Sequence, residues 1–555
     1  MVRDWGSRVA MGLLSGSLLV ACGGDDTGSA EGAVTAGTDT SPSTGTGGAG
    51  RALCSDVDRG SPYPPGIPWA GVHAGPANDD FLPCDTADEY VQAWRALEGL
   101  AVAQPSTFSP DGRVLYVTTA NPQADGCRVH ALDVETGAVN WCITAEPDVI
   151  GSSVEVDADG LLYLTAGDEV RSLQPDGSLR WATEVPVATT PEVRTGAVGL
   201  HFTPDGHVAT VTNDGIVLML SREDGAILAS LDLKAEFGFV PASGSTGGSF
   251  SALLPPEVVA DFEGLFGDQV DELLGVFFGS SPAFSDNTLG IAPDGTLFVV
   301  GGGIDVDNGS LMQVSVGGTV DAPTLSGGWY VPLMGGSATS PSISPDGRWV
   351  SVGDGQVPLG FLSPSAGNIY VIDIEACDAN SDGSSDEAVC GPVHRLVLPG
   401  GAILGSPALL DGPVSYTWDV AIGNLIEGAE ADVTAWSGGD VVWRAALPDN
   451  LNWTSTVSIT NNHVFGTGSS FTDSGTTVLG LSFPGEASHE LLLLSRSDGS
   501  VAFRAPVPDD GTASASLGPD GSIYVNMLAL LSSLSLETRP SGGVVKFSPV
   551  YADAQ

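Results

Sequence analysis

Apolar and polar positions alternate along this chain in short runs, and one phrase returns again and again: a strand, an Asp-Gly turn, and a second strand. The clearest copies read SPDGRVLYV from Ser109, DADGLLYLT from Asp157, TPDGHVATV from Thr203, APDGTLFVV from Ala292, SPDGRWVSV from Ser344 and GPDGSIYVN from Gly518. Weaker copies stand at LLDGPVSYT from Leu409 and TNNHVFGTG from Thr460. Downstream of several copies a turn glycine (Gly137, Gly177, Gly439, Gly499) is followed four positions later by an aromatic residue (Trp141, Trp181, Trp443, Phe503). Runs such as VLYV, LLYL and SIYV are almost wholly apolar, as a strand covered on both faces requires. A unit of this size cannot bury its apolar face alone, so neighbouring copies must stack.

The spacing identifies the unit. From Asp111 to Asp159 is 48 positions, from Asp159 to Asp205 is 46, and from Asp294 to Asp346 is 52. Each interval holds four short strands with their turns, which is the length of a propeller blade. The anchors Asp111, Asp159, Asp205, Asp294, Asp346, Asp411, Asn461 and Asp520 predict an all-β, eight-bladed β-propeller with a small helical insertion, a seven-bladed ring being the alternative. The ring must close, because an open one leaves a bare sheet edge. YVQAWRALEG precedes the first repeat and its Trp94 fits an outer aromatic strand, while the last repeat ends at GGVVKFSPV without one. The segment around Trp94 is therefore expected to complete the final blade. Two departures stand out: Ala229 replaces the aromatic residue after Gly225, and the fifth copy lacks a tight second turn.

HALDVETGAVNW (His130 to Trp141), VRSLQPDGSLRW (Val170 to Trp181) and the small-residue turns Gly405-Ser406-Pro407 and Ser280-Ser281-Pro282 resemble the PQQ-like β-propeller repeats. That group includes outer-membrane assembly lipoproteins and quinoprotein dehydrogenases, and the resemblance covers roughly 91–549. It implies the architecture and leaves activity open, since scaffolds and enzymes share the fold. Its dehydrogenases carry adjacent cysteines near the cofactor. No two cysteines are adjacent here, which speaks against PQQ.

Residues 1–22 have the form of a lipoprotein signal peptide. Arg3 and Arg8 supply positive charge, Val9 to Val20 is apolar but short for a membrane span, and Leu-Val-Ala-Cys resembles the bacterial lipobox, with Cys22 the expected lipidation site. Residues 23–50, rich in Gly, Ser, Thr and Asp, read as a flexible acidic tether. Residues 51–90 follow as a disulfide-linked N-terminal extension, and 91–549 as the propeller. Setting Cys22 aside leaves six cysteines, an even number that suits disulfides outside the cytoplasm. Sequence leaves their connectivity open; pairing of nearest neighbours joins Cys54 to Cys84, Cys127 to Cys142, and Cys377 to Cys390. The expected location is the bacterial cell envelope, lipid-anchored and extracytoplasmic.

The 555 residues carry 68 acidic against 19 basic side chains, a formal net charge of −49. Such a field repels nucleic acid and anionic headgroups. It suits a solvated acidic surface, high salt, or cation binding. One loop fits the last of these: Asp378, Asn380, Asp382 and Asp386, with Gly383 at the bend, resemble a DxDxDGxxD calcium loop, although its twelfth position is Val389 rather than Glu. A solvated acidic turn is the other reading. The insertion at 234–284 contains PPEVVADFEGLFGDQVDELLGVFFG, whose apolar residues fall at helical spacing; it is expected to be a helical hairpin packed on the propeller as a plug, or a lid or partner-binding face. The seven histidines form no HExxH or HxH pair, and there is no GxSxG or phosphate-binding Gly-rich loop. His130 and His201, isolated on strands, read as surface or packed residues rather than catalysts. The expected function is a non-enzymatic, membrane-tethered scaffold that binds a protein or glycan. The alternative is an enzyme, either a PQQ-dependent dehydrogenase or a hydrolase or lyase working in the central funnel. Residues lining that funnel would discriminate: converging His, Arg and carboxylates favour the enzyme, a Ser, Thr and aliphatic lining the scaffold.

Overall fold

In the computed structural model eight sheets, each built on a four-stranded antiparallel blade, follow one another along the chain, with the first strand of each repeat lying innermost. The structure describes residues 52–551 apart from 121–125, 145–151, 187–195, 242–255, 267–282, 286, 306–307, 338, 355–366, 381–389, 392–393, 399–407, 410–413, 419–432, 438–439, 446, 449–450, 479–480 and 512. Cys22, the signal peptide and the tether lie outside these residues.

The Asp-Gly turns show why the phrase repeats. In the first blade Gly112 N–H donates to Ser109 C=O at 2.8 Å, and Gly112 takes φ 68°, a left-handed conformation that glycine adopts without strain. Asp111 Oδ1 accepts from Arg113 N–H and from Ser109 Oγ, fixing the corner with its own side chain. The same turn recurs at Gly160, Gly206, Gly295, Gly347 and Gly521, each donating back three residues.

The second signal, the Gly and aromatic pair, is a contact between blades. Trp94 of the eighth blade lies on Gly137 of the first, where an added Cβ would sit 2.8 Å from the indole, and its Nε1 donates to Val134 C=O at 3.0 Å. Trp141 docks in the same way on Gly177, Trp181 on Gly225 and Trp443 on Gly499. At these four seams a blade presents a tryptophan to the bare glycine turn of the next. Both sequence departures follow from this rule. Ala229 needs no glycine turn because the facing fourth blade extends its outer hairpin through Gly309–Thr319 and Ala322–Pro332 instead. The fifth blade replaces its tight turn by the helix Ile374–Asn380, and Trp329 of the fourth blade donates to Asp378 there at 2.8 Å.

Closure occurs as the orphan aromatic strand requires. Tyr90–Ala96 pairs antiparallel with Gly543–Pro549, Gln92 opposite Phe547 and Trp94 opposite Lys546, so the eighth blade joins both ends of the described chain. Between blades the core is continuous: Tyr116, Val129 and Ala131 of the first blade pack with Val156, Leu162 and Leu164 of the second. The seventh sheet has six strands. Asn452–Trp453 pairs on its long second strand, and Phe81–Leu82 pairs in parallel with its innermost strand, Ser458–Thr460.

Of the insertion, the helices Leu233–Phe237 and Pro256–Phe266 are described. The second packs against Leu530–Leu534 in the eighth blade, with Val258 buried and Asp261 paired to Arg539. It therefore reaches from the seam between the third and fourth blades to one on the far side of the ring; the rest of the expected hairpin lies outside the described residues.

Candidate functional site: the central channel

The channel of this propeller is filled by its own N-terminal extension. The segment packs on the Asp-Gly turn face, where Ala158 N–H donates to Pro62 C=O, and Tyr63 Oη accepts from Phe202 N–H at 3.1 Å. It then runs along the inner strands: Val156 N–H donates to Ala70 C=O, Ile291 to Pro76, Ile343 to Ala77 and Ile459 to Asp80. It leaves on the same face, where Asn461 N–H donates to Cys84 C=O. Inner strands of the second, fourth, fifth and seventh blades thus each donate to one segment of fifteen residues, Ala70 to Cys84.

Asn78 is the peg. Its Nδ2 donates to Leu289 and Pro341 carbonyls, each at 3.1 Å, and its Oδ1 accepts from His201 Nε2 at 2.8 Å, which ties it to the third, fourth and fifth blades. Two residues later Asp80 accepts from Ser514 Oγ at 3.1 Å, at the start of the eighth blade, and from His73 Nδ1 at 2.7 Å. In a ring of eight, the third blade faces the seventh and the fourth faces the eighth, so the backbone crosses the axis between Asn78 and Asp80. Asn78 has φ 50° and Asp80 φ 48°, left-handed conformations that Asn and Asp tolerate better than other side chains.

The titratable groups of the channel are turned on one another. His201 Nδ1 lies 2.8 Å from Glu155 Oε1, and both residues are fully buried. Burial pushes the Glu155 carboxyl up, opposed chiefly by His201, and pushes the nearby Tyr63 phenol well above its ordinary range. Gly71 passes so close that a Cβ there would fall 1.8 Å from Glu155 Oε1. Arg59 pairs with Asp79 at 3.2 Å and donates to Phe81 C=O at 2.7 Å; burial raises the Asp79 carboxyl, with Arg59 pulling the other way. A histidine, an arginine and carboxylates do converge here, the pattern expected of an enzyme. Their partners, however, are the extension and the inner strands rather than an open chamber.

The cysteines pair as nearest neighbours: Cys54 with Cys84, Cys127 with Cys142 and Cys377 with Cys390. The first pair joins the two limbs of the inserted segment at its base. Of the proposed calcium ligands, Asp378 and Asn380 lie on the helix Ile374–Asn380, and Asp382 and Asp386 lie outside the described residues. Asp378 Oδ1 accepts from Trp329 Nε1 and from Gln313 Nε2, both at 2.8 Å, so this carboxylate holds the seam between the fourth and fifth blades. Of the two alternatives for His130 and His201, surface or packed, both are buried.

Sequence reasoning missed the channel segment. Its stretch SPYPPGIPWAGVHAGPANDDFLPC has no strand or helix period, and its signal is indirect: apolar residues such as Trp69 and Ile67 bracketed by a cysteine pair just before the closing strand. A second cluster, His489, Asp509 and Asp510 at the seam of the seventh and eighth blades, also escaped, because the histidine stands on a strand well before the adjacent aspartates and in an unrelated local pattern.

Comparison with known proteins agrees with the architecture. The family profile described as outer membrane protein assembly factor BamB matches residues 91–240. Among solved structures, the quinohemoprotein alcohol dehydrogenase ADHIIG from Pseudomonas putida HK5 superposes with a TM-score of 0.51 at 12% identity, over 86% of this chain and 80% of that one. The quinohemoprotein alcohol dehydrogenase from Comamonas testosteroni gives 0.51 at 13% identity, over 91% and 84%. A europium-containing methanol dehydrogenase gives 0.50 at 12%, over 86% and 98%. At these identities the likeness is one of fold. No curated protein sequence matches.

Proposed function

Given a chain that is a β-propeller of PQQ-like repeats, we propose that it acts as a non-enzymatic scaffold of the cell envelope, tethered through Cys22 and binding a protein or glycan on its outer surfaces. One observation carries the reading: the axis, where a propeller enzyme could hold a cofactor and substrate, is taken by Asn78, Asp80 and their neighbours. A quinone on the axis would have to displace this segment with its buried ion pair and its backbone bonds to four blades, and the residues present there do not fit one. The helix Pro256–Phe266, reaching toward the opposite blade, further narrows the approach. Three disulfides fit an oxidising, extracytoplasmic compartment. Outermost strands carry exposed apolar side chains, among them Val139, Leu179, Val441 and Val442, which are available to a partner.

The test has two arms. Full-length protein incubated with PQQ and calcium should give no cofactor-dependent dye reduction with alcohols or sugars, and robust turnover overturns the scaffold reading. Cells fed a palmitate analogue should label wild-type protein and not Cys22→Ala; equal labelling of both overturns the tether alone.

A further inference from the structure

We infer that His489, Asp509 and Asp510 form a buried site for a first-row divalent transition-metal ion that clips the seventh blade to the eighth. His489 lies on the third strand of the seventh blade, Leu481–Ser495, and the two aspartates lie on the connection into the eighth. One ring nitrogen and one oxygen from each carboxylate stand within 4.8 Å of one another, and all three residues are buried, the aspartates completely. Nitrogen and oxygen ligands sit about 2.0–2.2 Å from zinc, so two ligand atoms at tetrahedral positions are about 3.4 Å apart. Side-chain movements of about an ångström would draw the three groups onto one ion.

The hydrogen bonds leave one ligand position open, Asp510 Oδ2, and a metal would take the place of Ser532 Oγ at His489 Nε2. Asp510 Oδ1 accepts from the N–H groups of Leu531 and Ser532, both at 3.0 Å, while its Oδ2 is buried without a hydrogen-bond partner. Asp509 Oδ2 accepts from Ser541 and Gly542 N–H, at 2.6 and 3.0 Å, and its Oδ1, which accepts from Asp510 N–H, lies 3.9 Å from His489 Nε2. His489 Nδ1 is held by Ser469 Oγ at 2.7 Å, which orients the ring and turns Nε2 toward Asp509 and toward Ser532 Oγ at 2.9 Å. An unpartnered carboxylate oxygen beside a second carboxylate, both fully desolvated, is strongly unfavourable unless a cation or a proton neutralises it. An imidazole among the donors selects a transition ion over calcium, which prefers oxygen throughout. The site is distinct from the acidic loop at Asp378 and owes nothing to the channel.

Zinc is the probe. Full-length protein expressed with zinc, then passed through millimolar calcium to clear the acidic surface, should retain about one zinc per chain, and Asp510→Asn should retain essentially none. Chelation should lower the wild-type melting temperature and leave that of Asp510→Asn unmoved. Cobalt-loaded wild type provides a readout independent of any variant: X-ray absorption should show one imidazole and oxygen ligands. The proposal is overturned if wild type from zinc-, cobalt- and manganese-supplemented cells carries no retained ion and melts identically with and without chelator, for then the two carboxyls share a proton instead. A retained ion without imidazole in its shell overturns it equally.

Discussion

Asn78→Ala strips the channel peg of all its side-chain bonds at once. Two carbonyls, Leu289 and Pro341, lose their donor, and His201 Nε2 loses its acceptor, each in a fully buried setting. At about 1 kcal/mol each, the low end for stranded buried groups, the loss is about 3 kcal/mol. Alanine at φ 50° adds about 1 kcal/mol more, because its Cβ crowds the carbonyl in the left-handed region. Asn78→Gly separates the two parts, keeping the first and relieving the second. The loss falls on the docking of the extension rather than on the blades, whose own ladders are untouched. Hydrogen exchange read by mass spectrometry resolves this. The amides of Val156, Ile291, Ile343 and Ile459, which donate to the extension, should lose protection about 100-fold for 3 kcal/mol in Asn78→Gly, and several-fold more in Asn78→Ala. Amides of middle strands such as Leu115 to Val117 should keep theirs. Unchanged exchange at the four inner-strand amides would refute the claim that Asn78 pins the segment, and an equal loss everywhere would refute its separation from the ring.

The docking of tryptophan on glycine makes a second expectation: Trp94→Ala, which removes the indole from Gly137 and Tyr524, should cost about 2–3 kcal/mol, or a few degrees of melting temperature in a chain this long. Gly137→Ala should destabilise through the same contact, so the double variant should fall short of the sum of the singles; strict additivity, measured by denaturant unfolding, would dissociate the two residues. The third concerns pH. Burial holds His463 below its ordinary pKa, with Thr86 Oγ1 2.8 Å from its Nδ1. Below about pH 6.5 the unfolded chain takes up this proton while the folded chain resists it, so stability is full above that pH and declines as pH falls toward the folded value. Melting curves from pH 7.5 to 5 should show a shallower decline for His463→Gln than for wild type; equal slopes would remove His463 from the account.

What the sequence makes legible in this molecule is what a blade decides within itself or against its immediate neighbour. Asp111 and Gly112 specify a turn by side-chain capping and a left-handed φ, and the tryptophan four residues after a turn glycine announces a surface that must be covered. Even closure could be read, because an orphan Trp94 and a final blade without an outer strand leave one solution. Asn78 is different. Its partners, among them His201, Leu289 and Pro341, lie more than a hundred residues away, and nothing near it in the chain marks a need for them. The acidic loop is only partly legible for a related reason: the local pattern marks Asp378 as a candidate ion ligand and says nothing of Trp329 and Gln313, which donate to it from the neighbouring blade.

These two levels meet in a single stretch. Cys84, where the channel segment ends, and Tyr90, where the closing strand begins, are separated by a few residues that are fixed to the seventh blade through Thr86, whose Oγ1 faces His463 and whose N–H donates to Asn462. The chain that fills the axis is therefore the chain that shuts the ring. Neither act precedes the other at small entropic expense: the closing strand restricts the extension to the neighbourhood of the channel, and a docked extension delivers Tyr90 to Pro549 with little remaining search. Filling and closure should consequently assist each other as the chain folds, and the Cys54–Cys84 bridge, which encloses only the channel segment, favours both.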